Sequence, residues 1–313
     1  FNKRAVAKAP VPHNLLPLDQ RFIDLVLKEI SFDDTVVSEF SYTEKQDGTI
    51  RIDSYYGIKN SEFVIPSKID GKTVTEIGTA AFAYSFSEGV ITQKVTIPAT
   101  VTEIGDYAFL NSSGLKQIAF ESGSQLKRVG NSAFSGCSGL TSAALPSSVE
   151  EIGSMAFADC SSLTGTFTLP AAVTNIYAGA FNGANLSVFT LTASNSNYIT
   201  ENGVLYEKSG SSIGDTLVAY PGGKTDSSFT LPDSVTELGE YAIYKNNNLQ
   251  SINLSNVETI LNCGLSDCEK LTSVIGTKVN HTDGAVLINT PWMENNVNDY
   301  VIVGSVLLNY QGS

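Results

Sequence analysis

Leu140–Cys160 reads LTSAALPSSVEEIGSMAFADC, and this stretch decides the fold. It is one copy of a unit of roughly 23–25 residues, V-x-x-I-G-x-x-A-F-x-x-C-x-x-L, followed by a short apolar strand ending in Pro. Three copies run in tandem, Val101–Phe120, Leu126–Pro146 and Val149–Pro170, and a fourth starts at Val173. With the Ile of I-G as the mark, the register positions are Ile77, Ile104, Val129, Ile152, Ile176, Leu238 and Ile260. A period of this size predicts a solenoid, because one such unit cannot bury its own apolar face and must stack on its neighbours.

Each position of the unit has a physical reading. Phe82, Phe109, Phe134, Phe157 and Phe181 form an aromatic column that becomes Ile243 and Leu265 late in the chain, and it should tie successive coils together. Eight residues past the mark stand Ser112, Cys137, Cys160, Ala184 and Cys268, small enough for a tight turn that meets backbone groups of the next coil. Gly78, Gly105, Gly130, Gly153 and Gly239 follow the mark and suit a sharp bend or positive φ, although Tyr177 and Leu261 break that rule. The strand of each unit alternates. Pairs such as Val95 and Ile97, or Phe167 and Leu169, should point inward. Val64, Thr96, Ala119, Ala144, Thr168, Thr190, Thr230, Asn253 and Ile275 then form a flat, small, nearly uncharged outward column.

Working outward from the repeats, residues 1–14 read as a loose arm, and Leu18–Ile30 has helical spacing suited to covering the open end of the solenoid. Phe40-Ser-Tyr42, an Asp47-Gly48 turn and Ile50-Arg-Ile52 predict a hairpin, and Phe63–Pro66 a half repeat. Between Ile176 and Leu238 lies an island, Thr192–Lys224, with strand signals of its own. The expected division is a cap over 1–61, a leucine-rich repeat solenoid over 62–276 with the island at 192–224, and a hairpin-like segment over 277–313. The last segment is expected to fold back over the final coil, with Trp292 near Leu265 and Leu271, leaving a monomer or a weak end-to-end dimer.

The chain has 313 residues, a hydrophobic content of 42% that is ample for a continuous core, a formal net charge of −13 and a pI near 4.6. An acidic surface repels phosphate backbones, which argues against nucleic-acid binding and against docking on anionic membranes. No apolar run approaches the roughly 20 residues of a membrane span. No signal peptide is visible, and the first residue is not Met, so the sequence is expected to be that of an exported chain with its leader removed.

The unit L-x-x-(V/I)-x-(I/L)-P-x-x-V-x-x-I-G-x-x-A-F-x-x-C resembles the leucine-rich repeats of bacterial BspA-like surface proteins, also called the Treponema type. The resemblance covers about Glu62–Gly276, and the segment from Asn202-Gly-Val-Leu-Tyr206 through Tyr220-Pro-Gly-Gly-Lys224 is similar to an insert common in those proteins. It implies a mostly β, right-handed, horseshoe-like solenoid with short helical or irregular turns, exported and displayed at the cell surface. Some members are adhesins. The resemblance supplies no fixed binding motif, and no wall-anchoring motif is visible in the chain.

Each candidate site in the sequence also has a structural reading. Gly210-Ser-Ser212-Ile-Gly214 matches the nucleophile-elbow pattern, with His281 downstream, but its flanks read strand, loop, strand rather than strand, turn, helix. Ser212 is therefore expected to be a hairpin-tip residue, and no catalytic residue is assigned. Cys137, Cys160, Cys263 and Cys268 are expected to be reduced thiols, with a Cys137–Cys160 bridge as the lesser alternative. Glu76, Glu103, Glu151 and Glu237 share the position before the mark, and Arg128 between them should relieve their repulsion in place of a calcium ladder. Tyr198, Tyr206, Tyr220, Trp292, Tyr300 and Tyr310 are expected to form small hairpin cores rather than a binding platform. No cofactor or metal is implied. The expected function is a non-catalytic surface or secreted interaction protein, binding a protein or glycan, host-derived ones included, through the outward column Thr96, Ala119, Ala144, Thr168, Thr190, Thr230 and Asn253. A spacer without a ligand is the alternative, and a hydrolase using Ser212 ranks last.

Overall fold

The computed structural model describes residues 39–56, 61–87, 93–295, 300–304 and 306–310. The arm and the helix expected over Leu18–Ile30 lie outside the described residues. Phe40–Ser313 forms one compact unit. It is a mostly β solenoid of about ten turns, and the one helix among the described residues is the short Pro291–Asn295.

Three hydrogen-bonded ladders run along the stack. The first joins the marks. Ile52, Ile77, Ile104, Val129, Ile152 and Ile176 pair in parallel register from coil to coil, and Leu217, Leu238, Ile260 and Thr282 do the same further on. The hairpin Phe40–Glu44 with Ile50–Tyr55 forms as expected and supplies the edge of this sheet. The second ladder joins the alternating strands, for example Lys94–Ile97 with Gln117–Phe120 and Gly165–Leu169 with Leu186–Leu191. The third runs through the turns. Tyr107, Phe109 and Asn111 donate their N–H groups to the carbonyls of Asn131, Ala133 and Ser135 of the next coil at 2.7–2.8 Å, and the other intact coils repeat this.

The turn geometry corrects the reading of the Gly column. Gly78, Gly105, Gly130, Gly153 and Gly239 are absent from the positive-φ residues. A Cβ there would meet backbone of the preceding coil, such as Ile52 O at 2.6 Å or Ile77 O at 2.8 Å, so close stacking is the requirement. The left-handed conformation falls instead three and seven residues past the mark, mostly on residues other than Gly: Ala80 and Tyr84, Tyr107 and Asn111, Met155 and Asp159, Tyr241 and Lys245. These pairs of bends let each coil turn without helix.

The core follows the repeat. Phe82, Phe109, Phe134, Phe157 and Phe181 stack with centroids 5.2, 5.2, 5.3 and 5.8 Å apart and planes within 13°. The small column also forms, but it grips the preceding coil rather than the next. Ser112 Oγ donates to Phe82 O, Cys137 Sγ to Phe109 O and Cys160 Sγ to Phe134 O, at 3.1–3.2 Å. The buried apolar residues form two clusters that meet at the strand Val204–Ser209, where the island interrupts the regular columns.

Candidate functional site

The outward strand column holds its register. Val64 pairs with Thr96 and Thr96 with Ala119; Thr168 pairs with Thr190, their hydroxyls 3.0 Å apart; Thr230 pairs with Asn253 and Asn253 with Ile275. Ala144 lies one residue past its two-residue strand and is exposed. The column falls into three separate sheets, broken in sequence order by the island between Thr190 and Thr230.

Other candidates fall into structural roles. Ser212 opens the strand Ser212–Ala219 and faces Ser209 across a tight hairpin whose Gly210 has φ +61°. His281 lies three strands from Thr216 in one sheet, about 14 Å at the usual strand spacing, and Ser212 is further along. The two therefore do not form a nucleophile–base pair. All four cysteines are free, and burial pushes the Cys137 and Cys268 thiols up to about 12. Arg128 sits between Glu103 and Glu151, at 2.6 and 3.8 Å, and also binds Asp106 at 2.9 Å. Tyr198, Tyr206 and Tyr220 are buried in the core. Trp292 packs on the second core cluster, which includes Leu265 and Leu271, and donates its backbone N–H to Leu271 O. Tyr300 and Tyr310 are register partners in the last hairpin, Tyr300–Val303 with Val306–Tyr310.

The site that sequence reasoning missed lies at the island. There the chain runs through an antiparallel meander, Tyr198–Glu201, Val204–Ser209 and Ser212–Ala219, whose last strand places Leu217 in the mark row but lacks the I-G-x-x-A-F turn. The mark sheet ends at Asn175–Ile176, where the Ile176 N–H donates to the Tyr198 hydroxyl at 2.8 Å instead of to a strand. The turn ladder opens in the same place. The N–H groups of Gly179, Phe181 and Gly183, which in other coils reach the next coil, have no acceptor among the described residues. Stacking resumes further on, with Gly223 N–H on Leu186 O and Tyr220 N–H on Ala242 O, both at 2.7 Å.

The missing turn leaves a cleft of about 270 Å³ between the Tyr177–Asn182 turn and the Gly239–Tyr244 turn. Tyr241 leans over Gly179, its ring 3.1 Å from where a Cβ would stand, and meets Tyr244 edge-to-face at 5.4 Å. Tyr177 is 49% exposed at the mouth. The only charged residues on the walls are Glu207, Glu237 and Glu240. The Glu237 carboxyl is raised above its ordinary value by burial first, then by the Asp215 and Glu207 charges. Asn182 Oδ1 and Tyr220 Oη are buried without a partner among the lining residues. Lys245, next to the lining residue Tyr244, pairs with Asp159 at 2.7 Å, its ammonium 5.3 Å from the centre of the Tyr244 ring. One signal for this site stood in the sequence: Tyr177 and Leu261, the two departures from Gly after the mark, both line the cleft.

With repeat, ladders and insert in place, comparison gives the family. A family model described as the BspA type leucine rich repeat region matches residues 75–209 and 218–298 in six copies. The chain belongs to this family. Among solved structures, this BspA-type protein is similar to the pneumococcal vaccine antigen PcpA, with 25% identity over 78% of this chain and 72% of that one, at a TM-score of 0.60. A leucine-rich repeat protein from Eubacterium ventriosum shares 22% identity over 80% and 71% at a TM-score of 0.53, a likeness of fold. The Treponema pallidum leucine-rich repeat protein shares 26% identity over 74% and 88% at 0.49. No curated protein sequence matches significantly. No helix among the described residues is long and apolar enough to cross a membrane.

Proposed function

We propose that this BspA-type protein is a non-catalytic interaction protein, exported and displayed at or released from the bacterial surface, that binds a protein or glycan partner through its solenoid surface. The observation that carries the reading is the in-register row of small, uncharged side chains, Thr96–Ala119, Thr168–Thr190 and Thr230–Asn253, flanked by the exposed apolar Val64 and Ile275. Side chains of this size desolvate at little cost and leave a surface that an extended partner can approach closely. In this reading residues 1–61 cap the stack, 62–276 form the binding solenoid with the island at 192–224, and 277–313 close the other end. The likeness to a pneumococcal vaccine antigen supports display outside the cell.

The test is binding of the full chain to glycan arrays and to immobilised extracellular matrix proteins. Thr168→Arg and Thr190→Arg, on the half-exposed to exposed strand face, should weaken capture by at least about tenfold. Capture of nothing, or capture indifferent to both substitutions, would favour a spacer over a binder.

A further inference from the structure

The cleft at the broken ladder has the chemistry of a receptor for a particular group. One wall presents backbone N–H groups of Gly179 and Phe181 with no acceptor among the described residues, in the geometry that elsewhere receives the carbonyls of a neighbouring coil. The charge on the walls is all negative, from Glu207, Glu237 and Glu240. Tyr177 and Tyr241 offer aromatic rings, and the lining Tyr244 ring already has one ammonium over it, that of Lys245, which stands outside the lining and is paired with Asp159. A group that suits all three features has carbonyl oxygens for the open N–H groups and a cation for the carboxylates and ring faces.

We propose that this cleft binds a basic side chain, Lys or Arg, presented by an extended segment of a partner polypeptide. The segment's carbonyls complete the ladder at Gly179 and Phe181, and the cationic head group sits between Glu237, Glu240 and the Tyr177 and Tyr241 rings. The volume of about 270 Å³ admits one such side chain with its backbone. The net charge of −13 draws basic segments toward the protein, the open ladder supplies main-chain bonds, and the carboxylates and rings select the cationic side chain. This inference deepens the interaction reading and rests on it for the partner's being a protein.

The test uses the whole chain and a defined probe, acetyl-Gly-Arg-Gly-amide, with acetyl-Gly-citrulline-Gly-amide and a neutral oligosaccharide as comparisons. Amide NMR should show the Arg peptide shifting Gly179 and Phe181 while the citrulline peptide does so at least about tenfold more weakly. The double variant Glu237→Gln, Glu240→Gln should weaken the Arg peptide by about tenfold or more. Asp233→Asn with Glu269→Gln, which changes net charge equally away from the cleft lining, should leave it unchanged. Equal loss in both double variants would reduce the effect to bulk charge and overturn the proposal. So would shifts absent from Gly179 and Phe181, or an oligosaccharide that shifts those amides more strongly than the Arg peptide. Thr168→Arg separates the two readings: it should weaken capture through the strand face as above and leave the peptide on the cleft, whereas failure of the cleft alone leaves face-dependent capture intact.

Discussion

Replacing Phe134 with Ala tests the spine of the fold. The ring is 1% exposed and lies between Phe109 and Phe157, with centroids 5.2 and 5.3 Å away and planes tilted by 9° and 13°. Truncation removes both stacked pairs. The space cannot readily close, since the coils on either side are pinned by Phe109 N–H on Ala133 O and Phe134 N–H on Ala156 O, at 2.7 and 2.8 Å. A cavity held open by rigid walls falls in the upper part of the range for deleting a buried Phe, about 4–5 kcal/mol. Phe181 is the control. It is 8% exposed, lines the cleft and touches Phe167 and Phe189 edge-on at 4.8 and 5.1 Å. A hole there opens to water and is narrowed by two neighbours, so Phe181→Ala should cost about 1–2 kcal/mol less. Urea denaturation followed by circular dichroism gives the totals. Hydrogen exchange gives the location, because coils interact only with neighbours and protection should fall first at the amides of Phe109 and Phe134. A loss below about 1 kcal/mol for Phe134→Ala, or an equal loss at Phe181, would refute the assignment of a rigid stacked spine.

Gly105→Ala should destabilise by about 1–3 kcal/mol, since its Cβ would stand 2.8 Å from Ile77 O, while Ala80→Gly, at an exposed residue with φ 56°, should stabilise by about 0.5–1 kcal/mol; paired melting curves decide. Cys137 and Cys268, with thiols pushed up to about 12, should resist iodoacetamide at pH 8 until the protein unfolds, and the half-buried Cys263 should label first by mass spectrometry. Glu237 holds its proton more tightly folded than unfolded, so its contribution favours folding at low pH and is lost as pH rises through its raised folded value. Glu237→Gln should therefore raise the melting temperature at pH 7, and the gain should vanish at pH 4; an equal gain at both values would show that the charge is not its source.

The repeat made most of this fold readable. Seven marks, the Phe column and the inward strand pairs all depend on burial that recurs at fixed spacing, and a recurring apolar position survives in sequence because nothing else fills it. The pattern fades after Gly276, yet the chain makes a further turn, since His281–Thr282 pairs with Thr259–Ile260 through backbone groups that accept any side chain. Leu217 was unreadable as a mark for the same reason: its strand enters from a hairpin, without the I-G turn that advertises the others. Asn246 occupies the small-residue position of its coil and looks foreign there. Its side chain replaces missing backbone bonds, donating to Pro221 O and accepting from Asn248 and Leu249 N–H. The cleft was harder still, because it is made by what one coil lacks, and a pattern search rewards presence.

That absence bears on function. An intact coil consumes its own backbone groups in three ladders, and its outer side chains are short, so a regular stretch of solenoid has little left to offer beyond shape. At the island the chain lacks one turn of ladder, which exposes donors at Gly179 and Phe181, and the lost stacking is only partly offset by the Tyr198 hydroxyl on Ile176 N–H and the Lys245–Asp159 pair. A spacer of the same length would be served as well by another intact coil. The substitutions concentrated around the opening, Tyr177 and Leu261 for Gly with Tyr241 above Gly179, widen and line it rather than close it. A stack that forgoes backbone bonds in one place and furnishes that place with rings and carboxylates leaves there, under the proposal above, a free main-chain edge for an extended segment to complete.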